Sequence, residues 1–135
     1  MTFSTETFEI TTGNRPGIFD LTPAVLDFCR DKGDGIVTVF VPHATAGLAI
    51  IEVGAGSDSD LMSVVDDLLP ADSRWRHSHG SPGHGRDHVL PAIISPSVTI
   101  PVVGGRPTLG TWQSVVLVDT NRDNLERQVR LTFVG

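Results

Sequence analysis

The sequence has little positive charge and almost no cysteine. Lys and Arg total 10 against 16 Asp and Glu, which gives a formal net charge of −6. A non-specific nucleic-acid binder needs many cations to neutralise phosphates, so this class of function is excluded. Cys29 is the single cysteine, which excludes an internal disulfide and a cysteine-rich zinc site. Because it lies in an apolar run, we expect a buried thiol.

Long apolar runs are also lacking. No stretch approaches the roughly 20 apolar residues of a membrane span, and residues 1–6 lack the basic and apolar regions of a signal peptide. The 135 residues are 39% hydrophobic and 19% charged, which suits one globular core. We therefore expect a single domain over residues 1–135, in the cytoplasm, with no nucleic-acid and no membrane partner.

The hydrophobic pattern predicts a strand-rich chain. β-branched or alternating segments bounded by turn residues are typical of strands, and they occur at residues 5–12, 36–41, 46–52, 98–103, 114–119 and 128–134. We expect the strands at 36–41 and 46–52 to be neighbours, joined by a turn at residues 42–45. Gly104-Gly105 is typical of a hairpin or a bulge.

Helices are predicted between some of these strands. One begins with Thr22 as N-cap and Pro23 in the first turn and stops by Gly33. A second follows residues 57–59, with apolar residues spaced by three and four before Pro70: Leu61, Val64, Val65, Leu68 and Leu69. A short helical piece fits residues 88–94. Two to three helices inserted among largely antiparallel strands make an α+β fold.

Histidine is concentrated in the polar, glycine-rich segment between the second helix and this short piece. Four of the 5 histidines lie within twelve residues: His77, His79, His84 and His88. Neutral imidazole is the commonest metal ligand, and such density suits Zn²⁺ or a similar first-row metal. Three pairings are open: His77 with His79, His84 with His88, or His77 with His88 across a closed loop. The alternative is a solvated histidine-rich loop.

Other candidate residues lie at strand ends. His43 follows a strand, where a rigid sheet can present it to a ligand, although a lone histidine there also fits an ordinary polar residue. Glu52 ends the next strand and can serve as a base or hold an imidazole N–H, or it is a solvated carboxylate. Trp112 and Gln113 can stack on a planar ring and bond its edge, or Trp112 is a core residue. Arg127 can bind an anion or pair with an aspartate.

Several segments together resemble one family. They are Pro42-His43-Ala44-Thr45-Ala46-Gly47-Leu48 through Glu52, the pair His77 and His88, Gly110-Thr111-Trp112-Gln113, and Arg127 before a last strand ending at Gly135. Their order and spacing are similar to the secondary thiamine-phosphate synthase (YjbQ-like) family, over roughly residues 7–135. The chain departs from that pattern where Ile51 replaces an asparagine, Ala44 a hydroxyl residue and Arg76 an aromatic residue.

The resemblance implies a mostly antiparallel β-sandwich-like core, the YjbQ-like fold, assembled as a homotrimer. It implies a pocket near a subunit boundary, where histidines hold a metal, and a thiamine-phosphate synthase activity that is regarded as secondary in the family. That reaction joins a pyrimidine diphosphate to a thiazole phosphate, so the expected partner is a small phosphorylated ligand.

We therefore expect a metal-dependent enzyme whose divalent ion, zinc first and magnesium second, leaves one position open. The expected ligands are His43, His77 and His88. Glu52, Thr45 and Arg127 form the expected catalytic set, with Glu52 as the base and Arg127 on the anion, and Trp112 and Gln113 bind the substrate ring. The alternatives are a non-enzymatic trimeric module that binds a metal or an anion, and a metal-assisted phosphate-ester hydrolase.

Overall fold

The strands form two antiparallel sheets with a core between them. The computed structural model describes all residues, 1–135. The first sheet has the order β1 (Phe3–Thr11), β8 (Glu126–Val134), β3 (Gly35–Phe40), β5 (Ser97–Val103) and β6 (Arg106–Pro107). The second has the order β2 (Gly17–Asp20), β7 (Ser114–Asp119) and β4 (Ala46–Ile51). The predicted strands are confirmed, while the two short strands β2 and β6 were missed.

Alternation along the strands builds the core. In β8, Val129, Leu131 and Phe133 are all at most 1% exposed, and the residues between them face outward. Burying a side chain of this kind contributes about 1.5–3 kcal/mol. In contrast, β7 is buried on both faces from Val115 to Asp119, because helices cover its outer side. A continuous apolar run is what such a strand requires.

Three α-helices accompany the sheets: α1 (Thr22–Cys29), α2 (Ser57–Leu68) and α3 (Leu90–Ile93). The α1 N-cap is Leu21 and not the predicted Thr22, because the Thr22 hydroxyl accepts a hydrogen bond from the Val115 N–H at 2.9 Å. Cys29 is buried, as expected. None of the helices is both long enough and apolar enough to cross a membrane.

The apolar face of α2 is narrower than its sequence predicts. Val65 and the following Leu69 are 4% exposed and pack in one cluster with Val116 of β7. Val64 and Leu68, at the same helical spacing, are 57% and 58% exposed.

One predicted pairing is wrong: β3 and β4 lie in different sheets. β3 pairs with β5 and β8, whereas β4 pairs with β7. The five residues 41–45 connect β3 in one sheet to β4 in the other and do not close a hairpin. Strand pairing depends on which layers the two strands cover, and hydrophobicity alone does not show this.

Candidate functional site

Four histidine rings meet in the loop between α2 and α3, and we call them the histidine cluster. The ring centroid of His77 lies 4.1 Å from that of His79, 4.8 Å from that of His84 and 3.8 Å from that of His88. One ligand atom each from His77, His79 and His84 lies within 4.8 Å of the others. Nitrogens bound to zinc at about 2.1 Å lie about 3.4 Å apart at the tetrahedral angle, so the three ligand atoms are close to the spacing that one ion requires.

Two buried nitrogens of the cluster have no hydrogen-bond partner. His77 Nε2 and His84 Nε2 are buried and form no hydrogen bond. Such atoms are rare in folded proteins, because an unpaired buried polar group is costly. Burial, and after it the neighbouring histidines, holds the pKa of His77 below its usual value. Burial likewise lowers the pKa of His88. Neutral rings with free lone pairs are what a divalent metal requires.

His84 is held on its other side by a carboxylate. Its Nδ1 lies 2.9 Å from Asp123 Oδ2. The same oxygen accepts hydrogen bonds from the Ser81 N–H at 3.2 Å and the Ser81 hydroxyl at 3.1 Å. These bonds, that to His84 first, lower the pKa of Asp123. The carboxylate is thus a fixed acceptor.

Glycine makes this crowding possible. A Cβ on Gly80 would lie 2.4 Å from His84 Cε1, and its φ of +93° is one that favours glycine. A Cβ on Gly85 would lie 2.5 Å from the His77 carbonyl oxygen and 2.4 Å from Trp75 Cβ. The glycine-rich composition of the loop is therefore a packing requirement of the histidine cluster.

A buried polar network holds the loop against the rest of the protein. The 3-10 helix His84–His88 contains Asp87, which is 2% exposed. Its carboxylate accepts hydrogen bonds from the Thr120 hydroxyl at 2.6 Å and from Asn121 Nδ2 at 3.0 Å. Arg86 Nη1 donates to Asp66 Oδ1 at 2.6 Å. The loop is thus tied to both α2 and the end of β7.

Sequence reasoning missed this network and Asp123. The available signal was the polar run from Asp119 to Asn124 directly after a strand of continuous apolar residues. Polar residues that follow a buried strand are often placed to bond neighbouring loops.

Arg127 and His43 lie beside each other but not in the histidine cluster. Arg127 is 1% exposed, and its Nε and Nη2 donate to the two carboxylate oxygens of Asp119 at 2.7 and 2.9 Å. An incoming anion would have to displace this buried carboxylate. His43 Nε2 accepts a hydrogen bond from the Gln128 N–H at 2.9 Å. Burial, then the charge of Arg127, lowers the pKa of His43. Thr45, also buried, offers its carbonyl oxygen to Arg127 Nη2 at 3.4 Å.

The remaining predicted residues lie at the opposite end of the second sheet. Ala46 pairs with Asp119, and Ile51 pairs with Ser114, so Glu52 lies at the Ser114 end. The distance along β7 from Asp119 to Ser114 is about 17 Å at the usual rise of a strand. Trp112 and Gln113 directly precede Ser114. Within one chain, Glu52, Trp112 and Gln113 are therefore far from the Asp119 end of β7, where the polar network holds the histidine loop.

Trp112 is presented on the surface and is not a core residue. Its side chain is 72% exposed. The turn that carries it is closed by Gln113, whose Oε1 accepts a hydrogen bond from the Gly110 N–H at 2.8 Å.

Open space adjoins the histidine cluster. A cleft of about 280 Å³ is lined by Trp75, His77 and His84, among others. A smaller cavity of about 110 Å³ lies against His84, Arg86 and Arg122. A small ligand can therefore reach the cluster.

Comparison with known proteins identifies the class of this fold and site. The chain matches the family described as UPF0047 protein YjbQ-like over residues 6–135. A UPF0047 protein of Mycobacterium tuberculosis is 61% identical over 130 residues, 96% of this chain and 97% of that protein. The chain therefore belongs to the YjbQ-like UPF0047 family.

Solved structures agree with this assignment. The crystal structure of a hypothetical protein from Aeropyrum pernix is 32% identical, with a TM-score of 0.88 over 98% of both chains. A YbjQ-like protein from Sulfolobus solfataricus has a TM-score of 0.92 over 99% of this chain and 98% of that one. At 21% identity it shows the fold alone. The predicted YjbQ-like family and the α+β fold are confirmed, whereas the names of these relatives give no reaction and do not support the thiamine-phosphate synthase label.

Proposed function

We propose that this protein is an enzyme that depends on a divalent metal, with zinc as the first candidate. The proposed ligands are His77, His79 and His84. The observation that carries the proposal is the pair of buried, unpartnered Nε2 atoms of His77 and His84. Three imidazoles leave the fourth position of a tetrahedral ion open, as in catalytic zinc sites. Magnesium prefers oxygen ligands and fits this nitrogen set less well.

The ligand set differs from the one expected from the sequence. The two sets share His77. His88 stacks on His77 at 3.8 Å and is the fourth imidazole within reach. His43 is occupied by the Gln128 N–H, and the charges that act on it are those of Arg127 and Asp119.

The substrate class is a small phosphorylated molecule. When bound, the metal supplies a Lewis acid for a phosphoryl oxygen or a departing diphosphate. The cleft beside His77 admits such a molecule, and Arg122 lines the adjoining cavity as an exposed cation. The family resemblance favours thiamine-phosphate synthesis as the reaction. Hydrolysis of a phosphate ester would use the same residues.

The proposal extends to assembly as a homotrimer with a shared site. Glu52 and Trp112 lie at the far end of β7 within one chain, so they would reach the histidine cluster from a neighbouring copy. Exposed tryptophans are enriched in protein interfaces, and Trp112 is 72% exposed on a closed turn. In this arrangement, Glu52 would act as the base beside the open metal position.

Zinc titration of metal-free protein tests the ligand set. His77→Ala, His79→Ala and His84→Ala should each abolish stoichiometric binding, while the control His43→Ala should retain it. Loss of binding in His43→Ala, His77→Ala and His88→Ala, with binding retained in His79→Ala and His84→Ala, would restore the set predicted from the sequence. Circular dichroism confirms that each variant is folded.

Turnover with and without metal, on phosphorylated heterocycles and phosphate esters, tests the enzyme class. Glu52→Gln should bind zinc normally while turnover falls by roughly 10²–10⁴, the usual contribution of a general base. Stoichiometric zinc without any turnover would instead indicate a metal-binding module.

Mixing two inactive variants tests the shared site. Glu52→Gln chains keep the histidines, and His84→Ala chains keep the carboxylate. Random mixing in a trimer gives about one complete site in four if neighbours share the site, so activity should return to about that fraction. A site within one chain would give no recovery. Light scattering that finds a stable species near 14.4 kDa would contradict the trimer itself.

A further inference from the structure

One hydrogen bond fixes the tautomer of the neutral His84 ring. A neutral imidazole carries its proton on one ring nitrogen and a lone pair on the other. Nδ1 of His84 lies 2.9 Å from Asp123 Oδ2. An ionised carboxylate only accepts hydrogen bonds, so Nδ1 carries the proton. The lone pair is then on Nε2, the buried atom that has no partner.

Asp123 is itself held firmly. Its Oδ2 accepts hydrogen bonds from the N–H and the hydroxyl of Ser81. Its own N–H donates to Asn121 Oδ1 at 2.9 Å, and Asn121 Nδ2 donates to the buried Asp87. A Cβ on Gly80 would lie 3.1 Å from Asp123 Oδ2. The carboxylate is thus placed by both the loop and the segment after β7.

The other three rings of the cluster lack such a support. His77, His79 and His88 form no hydrogen bond to a carboxylate in this structure, whereas His84 forms one with a residue 39 positions away. His84 is therefore the one ring whose tautomer and direction are set before any metal arrives. A partner of this kind on the outer nitrogen of a ligand histidine typically changes metal affinity by about 10–100-fold.

We propose that Asp123 is the positioning residue of the metal centre: it selects the Nδ1–H tautomer of His84 and thereby presents Nε2 to the ion. The purpose of this arrangement rests on the proposed function. The tautomer of His84 does not depend on the proposed function, because it exists in the metal-free protein.

The test reads the tautomer and the affinity separately. ¹⁵N spectra of the imidazole nitrogens in metal-free protein at pH 8 identify the protonated nitrogen of His84, and His84→Ala assigns its signals. We expect the Nδ1–H form in the wild type and in Asp123→Asn, whose carbonyl oxygen still accepts. Asp123→Ala should show a mixture of tautomers. Asp67→Asn is the control, since Asp67 is an exposed α2 residue without a hydrogen bond.

Zinc titration of the same proteins gives the second readout. Asp123→Ala should bind zinc about 10–100-fold more weakly, Asp123→Asn less severely, and Asp67→Asn like the wild type. An unchanged tautomer or an unchanged affinity in Asp123→Ala would overturn the proposal. If that variant does not fold, Asp123→Asn decides: an affinity equal to that of Asp67→Asn refutes the role, and a weaker one supports it. If the wild type binds no zinc but the tautomer of His84 still changes in Asp123→Ala, the proposed function fails. The proposal that Asp123 selects the His84 tautomer is then still supported.

Discussion

Replacing Arg127 by methionine should destabilise the fold before it affects any reaction. The guanidinium is 1% exposed and forms two hydrogen bonds to Asp119, which is equally buried. Methionine replaces the apolar stem of the arginine side chain and carries no charge. The change therefore leaves the Asp119 carboxylate buried without its cation.

The size of the effect follows from this burial. Removing one partner of a buried ion pair costs about 3–5 kcal/mol, because the remaining charge is uncompensated. In a domain of this size, 1 kcal/mol corresponds to roughly 4 °C in the melting temperature. Arg127→Met should therefore melt roughly 12–20 °C below the wild type. The melting temperature of Arg127→Lys should fall by part of this amount, because lysine cannot donate two parallel hydrogen bonds to the Asp119 carboxylate.

Thermal and urea unfolding measure this cost. Arg130→Met is the matched control, since Arg130 lies on the same strand but is exposed, and its melting temperature should change little. The double variant Arg127→Met with Asp119→Leu should recover much of the loss, because no buried charge is left. If Arg127→Met melts like Arg130→Met but abolishes turnover, Arg127 acts on the substrate as predicted from the sequence, and the structural interpretation is refuted.

Three further outcomes follow from the histidine cluster. Gly80→Ala should weaken zinc binding, because its Cβ would lie 2.4 Å from His84 Cε1. The control Gly54→Ala should bind zinc normally, because Gly54 also has a positive φ but has open space around it. Equal zinc affinities of the two variants would contradict this prediction. Zinc at 100 times its Kd should stabilise the fold by about 2.7 kcal/mol, and a chelator should reverse the gain in calorimetry. Without metal, the free energy of unfolding should fall as the pH drops below 6.5. His77 and His88 have lowered pKa values in the folded protein, so the unfolded chain binds protons at these two residues at a higher pH than the folded chain does. Urea titrations at pH 7.5 and 5.5 measure this slope, and identical midpoints would exclude it.

Features that depend on local pattern could be predicted from the order of the residues alone. The β-branched and alternating pattern predicted the last strand, and the structure buries Leu131 and Phe133 on one face of it, since a strand exposes successive side chains to opposite faces. Spacing by three and four predicted α2. The density of histidine in a glycine-rich segment indicated a candidate metal-binding loop, and the structure brings its four imidazole rings together.

Which residues meet at the site depends on how the chain folds as a whole. A glycine-rich loop has no periodicity from which ring positions can be derived, so the grouping of His77 with His84 depends on close packing at Gly80 and on a carboxylate 39 positions from His84. Strand pairing is likewise non-local. It placed Glu52 at the far end of β7 from Asp119, because the register between two strands is set by the faces they bury together and not by the residues within either strand.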